Sequence, residues 1–143
     1  MKNFLTNEDN LFFNPIATED ILIICKGNTC RSIICQSILM KKRKHSNIFS
    51  AGTNVCQTNI EKETINLLKN KNIKISKKET ESISKFKDKS FDKIIILDKN
   101  IDKNNLPEYG ELIVYHITDP YKENEKIYLN VFNEIETFLK TIS

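Results

Sequence analysis

The chain has 143 residues, 39% hydrophobic and 29% charged, with a formal net charge of +3. That balance suits one soluble globular domain with one core. Its apolar runs, such as residues 21–25, fall far short of the about 20 residues of a membrane helix, and the mild charge gives no argument for nucleic acid.

Glu8 and Asp9 interrupt an N-terminus that has no continuous apolar stretch, so it does not read as a signal peptide. The expected compartment is the cytoplasm, where cysteines stay reduced. Cys25, Cys30, Cys35 and Cys56 lack the paired spacing of a zinc site, and no disulfide scaffold is expected in a chain of this length. No metal, cofactor or membrane partner is expected, and a monomer is the expected state. The basic run at residues 41–45 reads as a solvated helix C-terminus, where cations suit the dipole. Arginine is scarce: Arg31 and Arg43 are the only two, which makes each an informative choice.

Residues 1–19 form a polar, irregular extension with an apolar cluster at Leu11, Phe12 and Phe13. Residues 21–25 are short, continuous and β-branched, the pattern of a buried parallel strand. Residues 30–44 place Ile34, Cys35, Ile38 and Leu39 on one helical face. A short strand at 47–53 ends in a turn, and 59–73 is an amphipathic helix with Ile60, Thr64, Leu67 and Leu68 inward. Residues 91–98 and 111–117 are two further strands with a short helix expected between them, and 125–142 closes the chain as a helix through Tyr128, Val131, Phe132, Ile135, Phe138 and Leu139. Alternation of this kind predicts a small doubly wound α/β domain over residues 20–143, with a parallel sheet flanked by helices on both faces.

In such sheets ligands sit beyond the carboxyl ends of the strands, and Cys25 is at one such end. Residues 26–31 must turn from strand to helix, which aims backbone N–H groups at one point and makes an anion cradle. Gly27 allows a positive φ, and Asn28 tolerates a left-handed conformation. Arg31 offers a planar fork that matches two phosphate oxygens. Ser32 places a hydroxyl near the cysteine. A thiol above a helix N-terminus and beside a guanidinium loses its proton readily. The stretch therefore reads as a thiolate nucleophile, Cys25, in a phosphate-shaped loop made of Lys26, Gly27, Asn28, Thr29, Cys30, Arg31 and Ser32.

"CKGNTCRS" (25–32) resembles the phosphate-binding loop of the low-molecular-weight protein tyrosine phosphatases, a superfamily that also holds phosphoarginine phosphatases and arsenate reductases. The segments at 50–53, 92–100 and 117–121 resemble later parts of that family in order and spacing. The resemblance implies a four-stranded parallel sheet and a cysteine-dependent phosphatase. It implies Cys25 as nucleophile, Arg31 as phosphate clamp, Ser32 as thiolate stabiliser and Asn28 as a loop-shaping residue. It implies Asp119 as general acid, Tyr121 as pocket wall, and Cys30 as a redox partner that traps oxidised Cys25 in a reversible disulfide. Cys35 and Cys56 are expected to be packing residues, and neither histidine is assigned a role.

Asp119 also has a physical argument. Expelling a leaving group from phosphorus is slow unless a proton arrives, and an aspartic acid facing a phosphate dianion is pushed to keep its proton. Pro120 stiffens its loop. Thr29 bears on specificity: with Tyr121 it is expected to line the substrate pocket, and a hydroxyl there resembles the phosphoarginine-directed and reductase-like members. The second half of the chain also resembles the reductases, yet residues 97–106 contain no cysteine to relay electrons. The expected partner is a phosphoprotein, with phosphate or another oxyanion in the loop and phosphotyrosine as the default substrate. Phosphoarginine hydrolysis, arsenate reduction with a non-standard thiol donor, and oxyanion binding without turnover are the alternatives.

Overall fold

The computed structural model describes residues 18–142, so the apolar cluster at Leu11–Phe13 and most of the expected extension lie outside the described residues. The chain runs β1 (Asp20–Cys25), α1 (Arg31–Lys42), β2 (Asn47–Gly52), α2 (Lys62–Asn70), a 3-10 turn (Ile83–Phe86), β3 (Ser90–Ile96), β4 (Glu108–Val114) and α3 (Glu125–Ile142). The four strands form one parallel sheet in the order β2-β1-β3-β4. This is the α/β architecture that the alternating pattern predicts.

β1 lies inside the sheet, and its alternate residues enter two different cores. Ile21 and Ile23 join the layer under the α-helices, with Ile34, Ile38, Leu68, Val131, Ile135 and Phe138. Leu22 and Ile24 join the opposite layer, with Ala51, Phe86, Phe91, Ile94 and Ile96. The opposite layer is thinner and rests on the 3-10 turn, where Phe49, Phe86 and Phe91 meet edge to face with centroids 5.7–6.0 Å apart. Each fully buried side chain of this size contributes about 1.5–3 kcal/mol.

The short helix expected between the last two strands is not there: residues 97–107 run as turns, and the 3-10 turn precedes β3 instead. Two further elements differ by three residues or more in their bounds from the sequence expectation. The last strand begins at Glu108 and ends at Val114, three residues earlier than expected. It is an edge strand with a mostly exposed face, so its first half carries no hydrophobic run to signal it. α2 is shorter than the expected helix because Asn59 bridges to Glu79 instead. The basic run at 41–45 is more than a solvated helix end. Arg43 donates to Glu19 Oε1 at 2.8 Å and to the Ile142 carbonyl at 3.3 Å, tying the start of β1 to the end of α3.

Candidate active site

The site sits at the carboxyl end of β1. Thr53 N–H donates to the Cys25 carbonyl at 3.1 Å and Asn54 N–H to the Lys26 carbonyl at 2.8 Å, so the chain after β2 lies directly against the 26–31 loop. A glycine is needed at that contact. A Cβ on Gly52 would stand 2.7 Å from the Lys26 carbonyl oxygen and 2.9 Å from the Gly27 carbonyl carbon. Of the two residues that could take a positive φ, Gly27 and Asn28, it is Asn28 that does so, with φ 56°. Asn28 tolerates that conformation because its short polar side chain bonds locally, and Gly27 faces the cavity beside Thr29.

Cys25 accepts a hydrogen bond from the Asn28 N–H at 3.3 Å, and its sulfur lies 2.9 Å from Ser32 Oγ. Asn28 and Ser32 are fully buried behind the loop and do not line the cavity. The Thr29 carbonyl is held from the other side by Thr64 Oγ1 at 2.8 Å. Cys30 shares a 3.1 Å hydrogen bond with the Tyr128 hydroxyl, and burial pushes its thiol pKa up.

Arg31 is 2% exposed. It donates through Nη1 to the carbonyls of Leu97 and Ile117 at 3.3 and 2.9 Å, and through Nη2 to Asp98 Oδ2 at 3.0 Å. These bonds hold the guanidinium at the cavity wall without using Nε. Asp119 Oδ2 lies 3.6 Å from Nη2, and the Asp119 side chain is 47% exposed. Its Oδ1 accepts the Tyr121 N–H at 3.0 Å, which fixes the carboxylate on the rim.

These groups surround a cavity of about 210 Å³. Cys25, Lys26, Gly27, Thr29, Cys30 and Arg31 form its floor, with Asp119 and Tyr121 on one side and Asn54, Cys56 and Gln57 on the other. The Tyr121 hydroxyl donates to Gln57 Oε1 at 3.1 Å and bridges the two walls.

The family model described as "Low molecular weight phosphotyrosine protein phosphatase" matches residues 20–143. The chain belongs to this family. A Klebsiella pneumoniae protein provisionally named a low molecular weight protein-tyrosine-phosphatase is 28% identical over 128 residues, covering 81% of this chain and 89% of its own. Among solved structures, the low molecular weight protein tyrosine phosphatase of T. tengcongensis superposes with a TM-score of 0.76 at 21% identity, over 87% of this chain and 97% of that one. An arsenate reductase from Archaeoglobus fulgidus gives 0.73 at 22% identity, over 85% and 97%. The YwlE arginine phosphatase from Geobacillus stearothermophilus gives 0.69 at 19% identity, over 87% and 90%. At these identities the three structures establish the fold.

For this member of the low molecular weight phosphatases, the site residues read from the sequence fall into two groups. Cys25, Thr29, Cys30, Arg31, Asp119 and Tyr121 meet at one cavity, whose floor also includes the exposed Lys26. Asn28 and Ser32 support it from behind. Cys56, expected to pack in the core, is exposed on the cavity wall, while Cys35 is buried as expected.

Sequence reasoning missed Asp98 and Gln57. Asp98 stands one residue beyond Leu97, where the chain leaves β3, and its position at a strand's carboxyl end was the available signal. Burial opposes its ionisation, but the Asn100 N–H and the hydrogen bond and charge of Arg31 outweigh that, so its pKa lies below the ordinary aspartate value. His116 accepts the Lys99 N–H at Nδ1, 3.1 Å away, beside this pair. No group of three or more His, Cys, Asp or Glu among the described residues is placed to hold a metal ion, and no described helix is long and apolar enough to cross a membrane.

Proposed function

We propose that this enzyme hydrolyses phosphoprotein monoesters through a phosphocysteine intermediate, with phosphotyrosine as substrate. The observation that carries the reading is the convergence on Cys25. Its sulfur receives the Asn28 N–H and adjoins Ser32 Oγ at the floor of a cavity walled by the Arg31 guanidinium and the Asp119 carboxyl group. Cys25 attacks phosphorus as the aryl oxygen leaves. Loop N–H groups and Arg31 hold the phosphoryl oxygens. Asp119, on the rim, gives its proton to the leaving oxygen. It then takes a proton from the water that attacks phosphorus; the new oxygen–phosphorus bond forms as the phosphorus–sulfur bond breaks, and inorganic phosphate and the Cys25 thiolate result. Tyr121 supplies an aromatic wall for the substrate ring. The same reading carries a cytoplasmic enzyme that acts as a monomer through residues 20–143.

A second substrate is supported by the polarity of the opposite wall. Gln57 commits its Nε2 to Glu61 and the Asn59 carbonyl, at 2.7 and 2.8 Å, so its Oε1, which accepts the Tyr121 hydroxyl, has a second lone pair to offer. Together with the Thr29 hydroxyl this offers acceptors for a guanidinium, which favours phosphoarginine as the alternative.

The test compares turnover of a phosphotyrosine peptide and a phosphoarginine protein by wild type and Cys25→Ser. The serine variant should lose at least about a thousandfold in kcat on whichever substrate is preferred, and it should still bind inorganic phosphate. Turnover within tenfold of wild type would remove Cys25 as nucleophile.

A further inference from the structure

Lys77 is the most deeply placed ammonium near the loop, with only 11% of its side chain exposed. Burying a charge is costly unless it is paired and hydrogen-bonded, and all three protons of this ammonium are used. Nζ donates to Asn28 Oδ1 at 3.2 Å, to the Ser50 carbonyl at 2.8 Å and to Glu81 Oε1 at 2.5 Å. Glu81 also pairs with Lys85 on its outer side. Burial pulls the Lys77 pKa down and the Glu81 contact restores part of it.

The contact with Asn28 has a direction. Asn28 Oδ1 receives two donors, Lys77 Nζ and the Glu81 N–H at 2.8 Å. A flipped amide would turn its NH2 group against both, donor against donor, so the oxygen must face Lys77. Nδ2 then has to point the other way, where it donates to Ser32 Oγ at 2.7 Å and Ser50 Oγ at 3.0 Å. Ser50 passes its own proton to Gln36 Oε1 at 2.5 Å. Ser32, having accepted from Asn28, has one proton left to give, and Cys25 Sγ lies 2.9 Å from its oxygen. The chain of donors runs one way: Lys77 to Asn28 to Ser32 to Cys25.

We propose that Lys77 is a positioning residue for the phosphatase reaction: its buried ammonium fixes the Asn28 amide so that Ser32 donates its proton to the Cys25 sulfur. The inference rests on the reading of Cys25 as nucleophile. Lys77 touches neither the cavity nor the substrate. It acts through Asn28, whose left-handed backbone also shapes the loop, and through its positive charge behind the sulfur. The ionisable groups that bear on this ammonium are Glu81, Lys85 and Cys25.

The experiment uses Lys77→Met, which removes charge and donors, and Lys77→Gln, which removes the charge and keeps an N–H donor. The first readout is the rate of Cys25 alkylation by iodoacetamide as a function of pH, with the modified peptide identified by mass spectrometry because Cys56 is exposed and competes for the reagent. It needs no turnover. The second is kcat and KM on an aryl phosphate. We expect the alkylation curve of Lys77→Met to move to higher pH and its kcat to fall roughly tenfold to a hundredfold with a smaller change in KM. A wild-type curve in Lys77→Gln alone would assign the effect to the donated hydrogen bond, which is still positioning through Asn28. A wild-type curve and wild-type kcat in folded Lys77→Met overturn the proposal. Should Lys77→Met fail to fold, a wild-type curve in Lys77→Gln, together with full alkylation of an Asn28→Ala variant at the wild-type pH, overturns it as well. Cys25→Ser separates the two levels. If that variant turns over, the nucleophile reading fails; if it is dead while the Lys77 variants behave as wild type, only the role of Lys77 fails.

Discussion

Arg31 and Asp98 are joined by a 3.0 Å ion pair that is 2% and 12% exposed, while Asp119 stands 3.6 Å from the same nitrogen at 47% exposure. The two carboxylates therefore do different work on one guanidinium. Asp98 is a fixed anchor behind it, and Asp119 is a half-exposed rim group, held at the cavity by the Tyr121 N–H.

Removing the anchor should leave the buried cation with two carbonyl partners and only the half-exposed Asp119 carboxylate, 3.6 Å away, to balance its charge. Asp98→Asn should destabilise the fold by roughly 3 kcal/mol at neutral pH and lower kcat/KM. Because the Asp98 pKa is depressed in the folded protein, its contribution is present above the ordinary aspartate range and is lost as pH falls through the folded value. The Tm gap between wild type and Asp98→Asn should be steady near neutrality and close below about pH 4. A gap that widens on acidification would contradict the pairing.

Asp119 tests differently. Asp119→Ala should slow poor leaving groups by about a hundredfold or more, and good leaving groups much less, since those depart without a proton. Rates on a series of aryl phosphates of graded acidity would show it. An equal small loss across the series would reduce Asp119 to a turn residue bonded to the Tyr121 N–H.

Thr29 lines the cavity with its hydroxyl 3.5 Å from Cys30 Sγ. Thr29→Ile removes a polar contact and adds apolar bulk. If Thr29 serves phosphoarginine, the ratio of phosphoarginine to phosphotyrosine turnover should fall sharply in the variant. An unchanged ratio would leave the Gln57 wall as the sole support for that substrate.

Mild peroxide should inactivate the enzyme reversibly through a Cys25–Cys30 disulfide, and Cys30→Ala should make inactivation irreversible. Burial raises the Cys30 pKa, so trapping should accelerate as pH rises and its thiolate fraction grows. Peptide mapping that finds Cys25 joined to the exposed Cys56 instead would reassign the partner.

Gly52→Ala should place a methyl group against the Lys26 carbonyl and push the loop out of shape. Overpacking of this kind costs about 1–3 kcal/mol. Phosphate affinity, measured by titration calorimetry, should fall even where circular dichroism reports an intact fold; wild-type affinity would show that the loop yields without harm.

The loop was legible in the sequence because its chemistry is local. Cys25, Asn28, Arg31 and Ser32 lie within one strand-to-helix turn, the local context in which an anion cradle is expected. The alternating cores of β1 were legible for the same reason, since a short β-branched run needs no distant partner to be recognised. What supports the loop was not. Lys77, Thr64 and Asp98 reach it from sites 35 to 67 residues away, and no local pattern ties them to it: Thr64 reads only as an inward helix position, and Lys77 is one of many lysines. The edge strand at Glu108–Val114 was misplaced because an exposed face has no hydrophobic period. Gly27 and Asn28 are neighbours that both accept a left-handed backbone, and sequence could not choose between them.

Arg43 holds Glu19 and the Ile142 carbonyl with one guanidinium, at the end of the sheet opposite the cavity. The beginning of β1 and the end of α3 are thus next-door neighbours in space. A short polar linker from residue 142 to residue 19, in a variant that omits residues 1–18, would close residues 19–142 into a circle without crossing the active-site mouth. Such a permutant could be reopened between residues 102 and 105, in the exposed turn that leads into β4. The order of synthesis would change while every contact around Cys25 kept its partners, and the enzyme could be tethered through its new ends.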